Sequence, residues 1–451
     1  MKRPNILLIQ SDQHAPTALS CRGNPYVRTP NLDRLAAGGV SFANAYCTSP
    51  VCTPARASIA TGRMPHELGI NVNERAVPAD VPTVGHMVTA AGYKAAWAGK
   101  WHVPENYPQH VDEIPGFENL LFDMPNGWHL GANVDAPTAD RAIKFIRGPH
   151  ERPFLLTASF YNPHDICYWV MDQGHEVFNK LYPEMGSWLS GPSDPPATAP
   201  ELPPLPTNFE LPDVESEFVE FCRHRGHYGN EIDWTHTWDE LHWRRYLYAY
   251  HRFVEHTDAT VGRVLGALRE SGLEDDTLVI YTCDHGEGVA THRWVVKLML
   301  YENPVKVPLI VRWPAGIARR GLDCEHIVSA LDVPATIADY AGTAMPKECG
   351  GVSLRGIIEN PSAPGRDYAV TELQPDPQRL EHKGRLLRTK RYKYMAFSHG
   401  RNPEMLFDLQ DDPGETRNLA VQSSAAGELV RHRRMLQDWI ARSGDDFTLG
   451  G

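Results

Sequence analysis

No run in this 451-residue chain approaches the roughly 20 uninterrupted apolar residues that a membrane-spanning helix needs, so no membrane span is expected. No signal peptide is visible, and none is expected as the chain is written, because Met1-Lys2-Arg3-Pro4 passes straight into a strand-like segment. As written, the chain is expected to be cytoplasmic, and periplasmic or secreted if a leader was removed. Positive charge is in deficit, with 44 basic residues against 56 acidic ones and a formal charge of -12. That disfavours nucleic acid as a partner, because neutralising phosphates takes a basic surface. An anionic substrate must therefore meet a locally positive pocket. The eight cysteines (Cys21, Cys47, Cys52, Cys167, Cys222, Cys283, Cys324, Cys349) form no CxxC or CxxxxC metal spacing. They read mostly as small buried hydrophobes and lean towards a reducing compartment. Internal repeats are absent.

What is present is a large potential core, since 42% of residues are hydrophobic and 22% charged, and the length suggests two or three structural units. Asn5 to Gln10 is a short apolar run that opens into Ser11-Asp12-Gln13-His14. Phe154 to Phe160 precedes Asn162-Pro163-His164-Asp165, and Leu278 to Thr282 precedes Cys283-Asp284-His285-Gly286. Helical patterns such as Thr83 to Ala91 and Arg244 to Ser271 lie between these runs. The class is therefore α/β, a large and mainly parallel sheet flanked by helices. Reactive groups of such sheets gather at the carboxyl ends of the strands. A Pro-, Trp- and His-rich insertion is expected at about 166–243 within a catalytic domain 1–345. After Gly350-Gly351, short strands around 385–389 and 391–395 and a helix from about Gln422 to Ser443 suggest a smaller antiparallel C-terminal subdomain, 346–451.

Each strand end just named carries an acid or a histidine: Asp12, His164 and the pair Asp284-His285. Singly these are common as turn formers. Together, hard oxygen donors with one imidazole suit Mg²⁺, Ca²⁺ or Mn²⁺ better than a structural zinc. Between the first two lies Cys52-Thr53-Pro54-Ala55-Arg56, followed by Ala57-Ser58-Ile59-Ala60-Thr61-Gly62. Composition alone gives Cys-x-Pro-x-Arg in roughly a few per cent of chains this long, and the trailing Thr-Gly makes the coincidence far rarer. A Pro-initiated helix here would turn its amino end, a natural anion site, towards the cluster.

The pentapeptide resembles the signature of type I sulfatases of the alkaline-phosphatase superfamily, in which the motif cysteine becomes formylglycine. The resemblance extends through Thr29-Pro30-Asn31-Leu32-Asp33-Arg34-Leu35, Gly99-Lys100-Trp101-His102, Pro163-His164, Asp284-His285-Gly286, Tyr301-Glu302 and Leu406-Phe407-Asp408-Leu409. It implies an alkaline-phosphatase-like fold and one divalent metal, Ca²⁺ first and Mg²⁺ or Mn²⁺ as alternatives. The implied ligands are Asp12, Gln13, Asp284, His285 and an oxygen of modified Cys52. Gln13 stands where the family usually has a second acid, so the site would carry one negative charge fewer. A formylglycine-generating or anaerobic sulfatase-maturing enzyme is the implied partner. One hydroxyl of the formylglycine hydrate would attack sulfur, and the other would expel sulfate by collapse to the aldehyde.

The same resemblance gives Arg56 a supporting role beside the hydrate and makes Lys100, His102 and Lys297 three cations around the sulfuryl oxygens. His164 would assist the leaving group. Asn73 is a further candidate sulfate contact, and Arg223 and His227, with His224 and Arg225, are candidate donors to a substrate. Trp169, Trp188, Trp234, Trp238 and Trp243 offer faces for sugar rings, or pack the insertion onto the core. A sulfated saccharide is the substrate class expected. The alternatives are a phosphonate monoester or phosphodiester hydrolase of the same superfamily, against which Lys100 and His102 argue, and a non-catalytic sulfoglycan-binding protein never oxidised at Cys52. Oligomeric state is not legible.

Overall fold

The computed structural model describes residues 3–73, 75–103, 113–120, 130–172, 201–223 and 233–450. One sheet contains β1 (Asn5–Asp12), β2 (Val40–Tyr46), β3 (Lys94–Gly99), β4 (Glu118–Asn119), β5 (Phe154–Pro163), β6 (Thr277–Cys283), β7 (Leu309–Arg312) and β8 (Gly321–Ser329). A second contains β9 (Tyr368–Leu373), β10 (Gly384–Thr389), β11 (Tyr392–Phe397) and β12 (Glu404–Asp408). The longer helices are α1 (Pro30–Ala37), α2 (Cys52–Thr61), α3 (Val84–Ala90), α4 (Gly131–Arg147), α5 (Ile166–Asp172), α6 (Glu217–Arg223), α7 (Glu240–Glu270), α8 (Asp332–Ala341) and α9 (Ala426–Ser443).

The large sheet runs β4-β3-β5-β1-β6-β7-β2-β8, and only β7 pairs antiparallel with its neighbours. The mainly parallel expectation thus holds. Its central strands are apolar on both faces because helices cover both. Leu7 and Ile9 of β1 pack with Ala139 and Ile146 of α4 and Val261 and Val264 of α7. Ile6 and Leu8 go to the opposite cluster, with Val84 and Val88 of α3 and Ile337 of α8. Alternation along a strand explains this division, and each fully buried Leu or Ile contributes about 1.5–3 kcal/mol.

The second sheet is antiparallel throughout, and α9 sets Leu436 against Leu387, Tyr394 and Leu406. Buried charges tie it to the large sheet. Lys393 of β11 lies 2.6 Å from Glu415 and 3.4 Å from Glu302, and Arg388 of β10 donates to the Tyr46 hydroxyl of β2 at 2.8 Å.

Part of the expected insertion, 173–200 and 224–232, lies outside the described residues. In the remainder the tryptophans pack on one another. Trp238 meets Trp169 at 6.1 Å and Trp243 at 5.1 Å between ring centroids, both edge to face, and Trp169 and Trp243 are buried. For these two, packing rather than an open sugar platform is the observed arrangement. Trp188 lies outside the described residues.

Candidate active site

Strands β3, β5, β1 and β6 are adjacent and parallel, so their carboxyl ends emerge on one edge. Ser11 is in register with Cys283 and Asp12 with Pro163, which delivers Asp12, Asp284-His285 and His164 together. Lys100 follows Gly99, whose φ of 92° and position, with a Cβ falling 2.0 Å from the Ser159 carbonyl oxygen, admit only glycine.

Helix α2 faces this edge with Cys52 as its first residue and is buried along its whole length. Its first turn is capped from outside: Thr53 N–H donates to Asn73 Oδ1 at 2.9 Å. The Thr53 hydroxyl donates to the His102 carbonyl at 2.6 Å. Gly62 ends the helix at φ 73°, where a Cβ would fall 2.2 Å from Cys349 Sγ, which accounts for the Thr-Gly that closes the motif.

Four donor atoms, one each from Asp12, Cys52, Asp284 and His285, lie within 4.8 Å of one another, all buried. Cys52 Sγ is 3.3 Å from His285 Nε2 and receives a 2.8 Å contact from Lys297 Nζ. The His285 Nδ1 faces the Gly286 carbonyl at 2.9 Å, which turns Nε2 into the cluster. Arg56 bridges the acids, with Nη2 on Asp12 and Nε on Asp284, each at 2.9 Å, and Nη1 on Ser159 Oγ at 2.9 Å. Lys100 Nζ is 2.7 Å from Asp12 Oδ2 and 4.6 Å from the centre of the Tyr161 ring.

These charges set one another. Burial opposes the Arg56 charge, but Asp284 and Asp12 outweigh it and hold its pKa above the ordinary value. Burial also opposes the Asp12 carboxylate, yet the cations Lys100, Arg56 and Lys297 hold its pKa well below the usual range. The Cys52 thiol is acidified: burial and Asp12 oppose ionisation, and Lys297, Lys100 and His285 prevail. Two carboxylates, one imidazole oriented through its other nitrogen and a position able to carry oxygen form a donor set that fits a hard divalent cation.

His102 departs from its expected charge. Burial, Lys100 and Arg56 hold its imidazole well below the ordinary pKa, so the ring is neutral and, of the three cations expected around the sulfuryl oxygens, Lys100 and Lys297 remain charged. His164 is neutral for the same reasons, burial first and then Lys297 and Lys100. Lys297 is supplied by a contorted loop in which Val289, Ala290, His292, Arg293, Val296 and Leu298 all have positive φ. Such backbone is costly for β-branched residues and persists only where surrounding contacts enforce it. Here Leu298 N–H donates to the Pro50 carbonyl at 3.3 Å and the Trp294 indole to the Lys297 carbonyl at 2.9 Å.

The other expected residues are placed variously. Gln13 directs its amide to Glu287 and Cys167, so a fully buried acid that sequence reasoning passed over meets it two residues beyond His285. Asn73 caps α2. Arg223 is 5% exposed, paired with Glu215 and the His292 carbonyl and stacked over Trp294, so it braces the Lys297 loop. His224, Arg225 and His227 lie outside the described residues.

A family model described as Sulfatase matches residues 4–343, and one described as N-sulphoglucosamine sulphohydrolase, C-terminal, matches 290–439. The chain is 31% identical to a Delta 4,5-hexuronate-2-O-sulfatase of Bacteroides thetaiotaomicron, over 99% of this chain and 90% of that one. A solved 2-O GAG sulfatase superposes with a TM-score of 0.84 at 29% identity, covering 100% of this chain and 95% of that one. The phosphonate monoester hydrolase of Agrobacterium radiobacter shares the fold, with a TM-score of 0.77 at 23% identity and coverage of 98% and 96%. With the family model spanning three-quarters of the chain and the cysteine-headed helix facing a buried acid and histidine cluster, this protein belongs to the sulfatase family.

Proposed function

We infer that this sulfatase hydrolyses a sulfate ester on a sulfated saccharide, with a 2-O-sulfated hexuronate as the first candidate. The observation that carries the chemistry is the buried cluster of Asp12, Cys52, Asp284 and His285 with Lys297 and Lys100 beside it. The saccharide follows from likeness to proteins named as a hexuronate-2-O-sulfatase and a 2-O GAG sulfatase.

A divalent cation, Ca²⁺ before Mg²⁺ or Mn²⁺, would be held by Asp12, Asp284, His285 and oxidised Cys52, with Gln13 beside them, and when bound it supplies Lewis-acid stabilisation of oxyanion charge. Formylglycine, made from Cys52 by a maturation enzyme, supplies the nucleophilic hydroxyl. Lys100 and Lys297 neutralise charge on the sulfuryl oxygens as it grows. Neutral His102 donates a hydrogen bond to the same group. His164 donates towards the departing oxygen, which matters most for sugar alkoxides, poor leaving groups. Arg56 keeps the two carboxylates in place, and Asn73 with Thr53 fixes the start of α2.

The test is co-expression with a maturation enzyme, mass spectrometry of the peptide carrying Cys52, and sulfate release from a panel of sulfated mono- and oligosaccharides. An aldehyde at position 52 with release from a 2-O-sulfated uronate is the expected outcome. An intact thiol with no release would sink the enzyme reading in favour of a sulfoglycan-binding protein. Faster turnover of a phosphonate monoester than of any sulfate ester would overturn the substrate class.

A further inference from the structure

Gln13 is held at both ends of its backbone. Its φ is 69°, its N–H donates to Asp284 Oδ1 at 3.1 Å, and its carbonyl accepts from the Tyr250 hydroxyl at 2.8 Å. Its side-chain Nε2 donates to Glu287 Oε2 at 2.5 Å, while Oε1 faces Cys167 Sγ at 3.2 Å, a weak donor. Glu287 is fully buried, and its other oxygen accepts from the Tyr246 hydroxyl and, at 2.5 Å, from Val296 N–H. Tyr246 and Tyr250 are four residues apart on α7 and so share one face, one bonded to each member of the pair. Glu287 thus collects three donors, and one of them is the amide that stands where an acid was expected.

We propose that Glu287 is a positioning residue for the cation site. By engaging Nε2 it fixes the flip of the Gln13 amide and leaves Oε1, the only atom of that group able to ligate a cation, turned away from the carboxylate. Partners of this kind hold ligands in orientation, and their loss typically costs 10–100-fold in metal affinity. The competing account is that Glu287 serves only the Lys297 loop, through Val296. The proposal rests on the cation site inferred above.

The test is Ca²⁺ titration by calorimetry of the full-length protein stripped with a chelator, with far-UV circular dichroism to verify folding. Glu287→Gln keeps an acceptor for Val296 and Tyr246 but ends the discrimination between the amide's two ends; a loss of about 10–100-fold in Ca²⁺ affinity is expected. Gln13→Glu added to that variant exchanges the two groups and should recover most of the loss. Gln13→Met removes the ligating Oε1 and one of the three donors to Glu287 while sparing those from Tyr246 and Val296, and should weaken Ca²⁺ at least as much as Glu287→Gln does; if Glu287→Gln does not fold, the double variant is compared with Gln13→Met, and equal affinities overturn the pairing. Wild-type affinity in Gln13→Met or in folded Glu287→Gln, or a Glu287→Gln defect that Gln13→Glu leaves unrepaired, overturns the pairing. A wild-type protein that binds no Ca²⁺, Mg²⁺ or Mn²⁺ overturns the cation site itself, and the pairing with it.

Discussion

The Nζ of Lys297 stands 2.8 Å from Sγ of Cys52, although 245 residues separate them in the chain. Both are buried, and the strained loop that delivers the lysine is braced by Arg223 and by the Pro50 carbonyl beside Cys52. A cation fixed at this distance stabilises whatever negative charge develops there. Lys297→Ala should therefore lower kcat for sulfate release by about 10²–10³-fold while the Cys52 peptide is still oxidised. Cys52→Ala should abolish turnover, and Cys52→Ser nearly so. Near wild-type kcat in Lys297→Ala, measured as liberated sulfate on protein of matched oxidation, would remove the lysine from the chemistry.

Arg56 separates two buried carboxylates that would otherwise repel. Arg56→Ala takes from Asp12 one of its two direct ion-pair partners, leaving Lys100, and strips Asp284 of its guanidinium, and breaking a buried pair in this way costs about 3–5 kcal/mol. Thermal unfolding should show a large drop in Tm that added Ca²⁺ partly reverses, since a cation bound to the folded state alone stabilises it. Arg56→Lys should recover little, because a single ammonium cannot bridge both acids and Ser159. An unchanged Tm in Arg56→Ala would refute this account.

The parts of the site that were legible in the sequence are those written in local runs. The apolar strands before Asp12, His164 and Asp284 are short and buried on both faces, so their ends were readable, and Cys52 to Gly62 carries its own helix start and stop. What escaped depends on contacts between distant segments. Nothing near Glu287 signals that it meets Gln13, 274 residues away. The neutrality of His102 follows from burial beside Lys100 and Arg56, which no motif encodes. Arg223, expected to face a substrate, is instead taken up by Glu215 and Trp294, partners chosen by packing.

Asn73 caps α2 through Thr53 N–H, and that contact predicts a different phenotype from a direct sulfate contact. Asn73→Ala should cost about 1 kcal/mol, the usual effect of losing a helix cap, and should lower Tm and kcat modestly with KM nearly unchanged. Asn73→Asp should retain stability, since a carboxylate caps equally well. A rise in KM in Asn73→Ala with unaltered Tm would restore the substrate-contact role.

Asp135 of α4 links the chain before His164 to the helix: its carboxylate accepts from Tyr161 N–H at 2.6 Å and Asn162 N–H at 3.0 Å. Burial pushes its pKa up from 3.8 to about 7, against the opposing pull of those two N–H groups. The sign follows from linkage. With a folded pKa above the unfolded one, the folded state binds the proton more tightly, so this group's contribution to stability falls as pH rises from about 4 to about 7 and is level above that. Asp135→Asn cannot titrate. The stability of Asp135→Asn minus that of wild type should therefore rise across that window, by up to about 4 kcal/mol, whatever constant offset the amide introduces. Urea unfolding of both proteins at intervals between pH 4 and pH 8 measures that difference, and a flat difference would show that Asp135 ionises at an ordinary pKa in the folded protein.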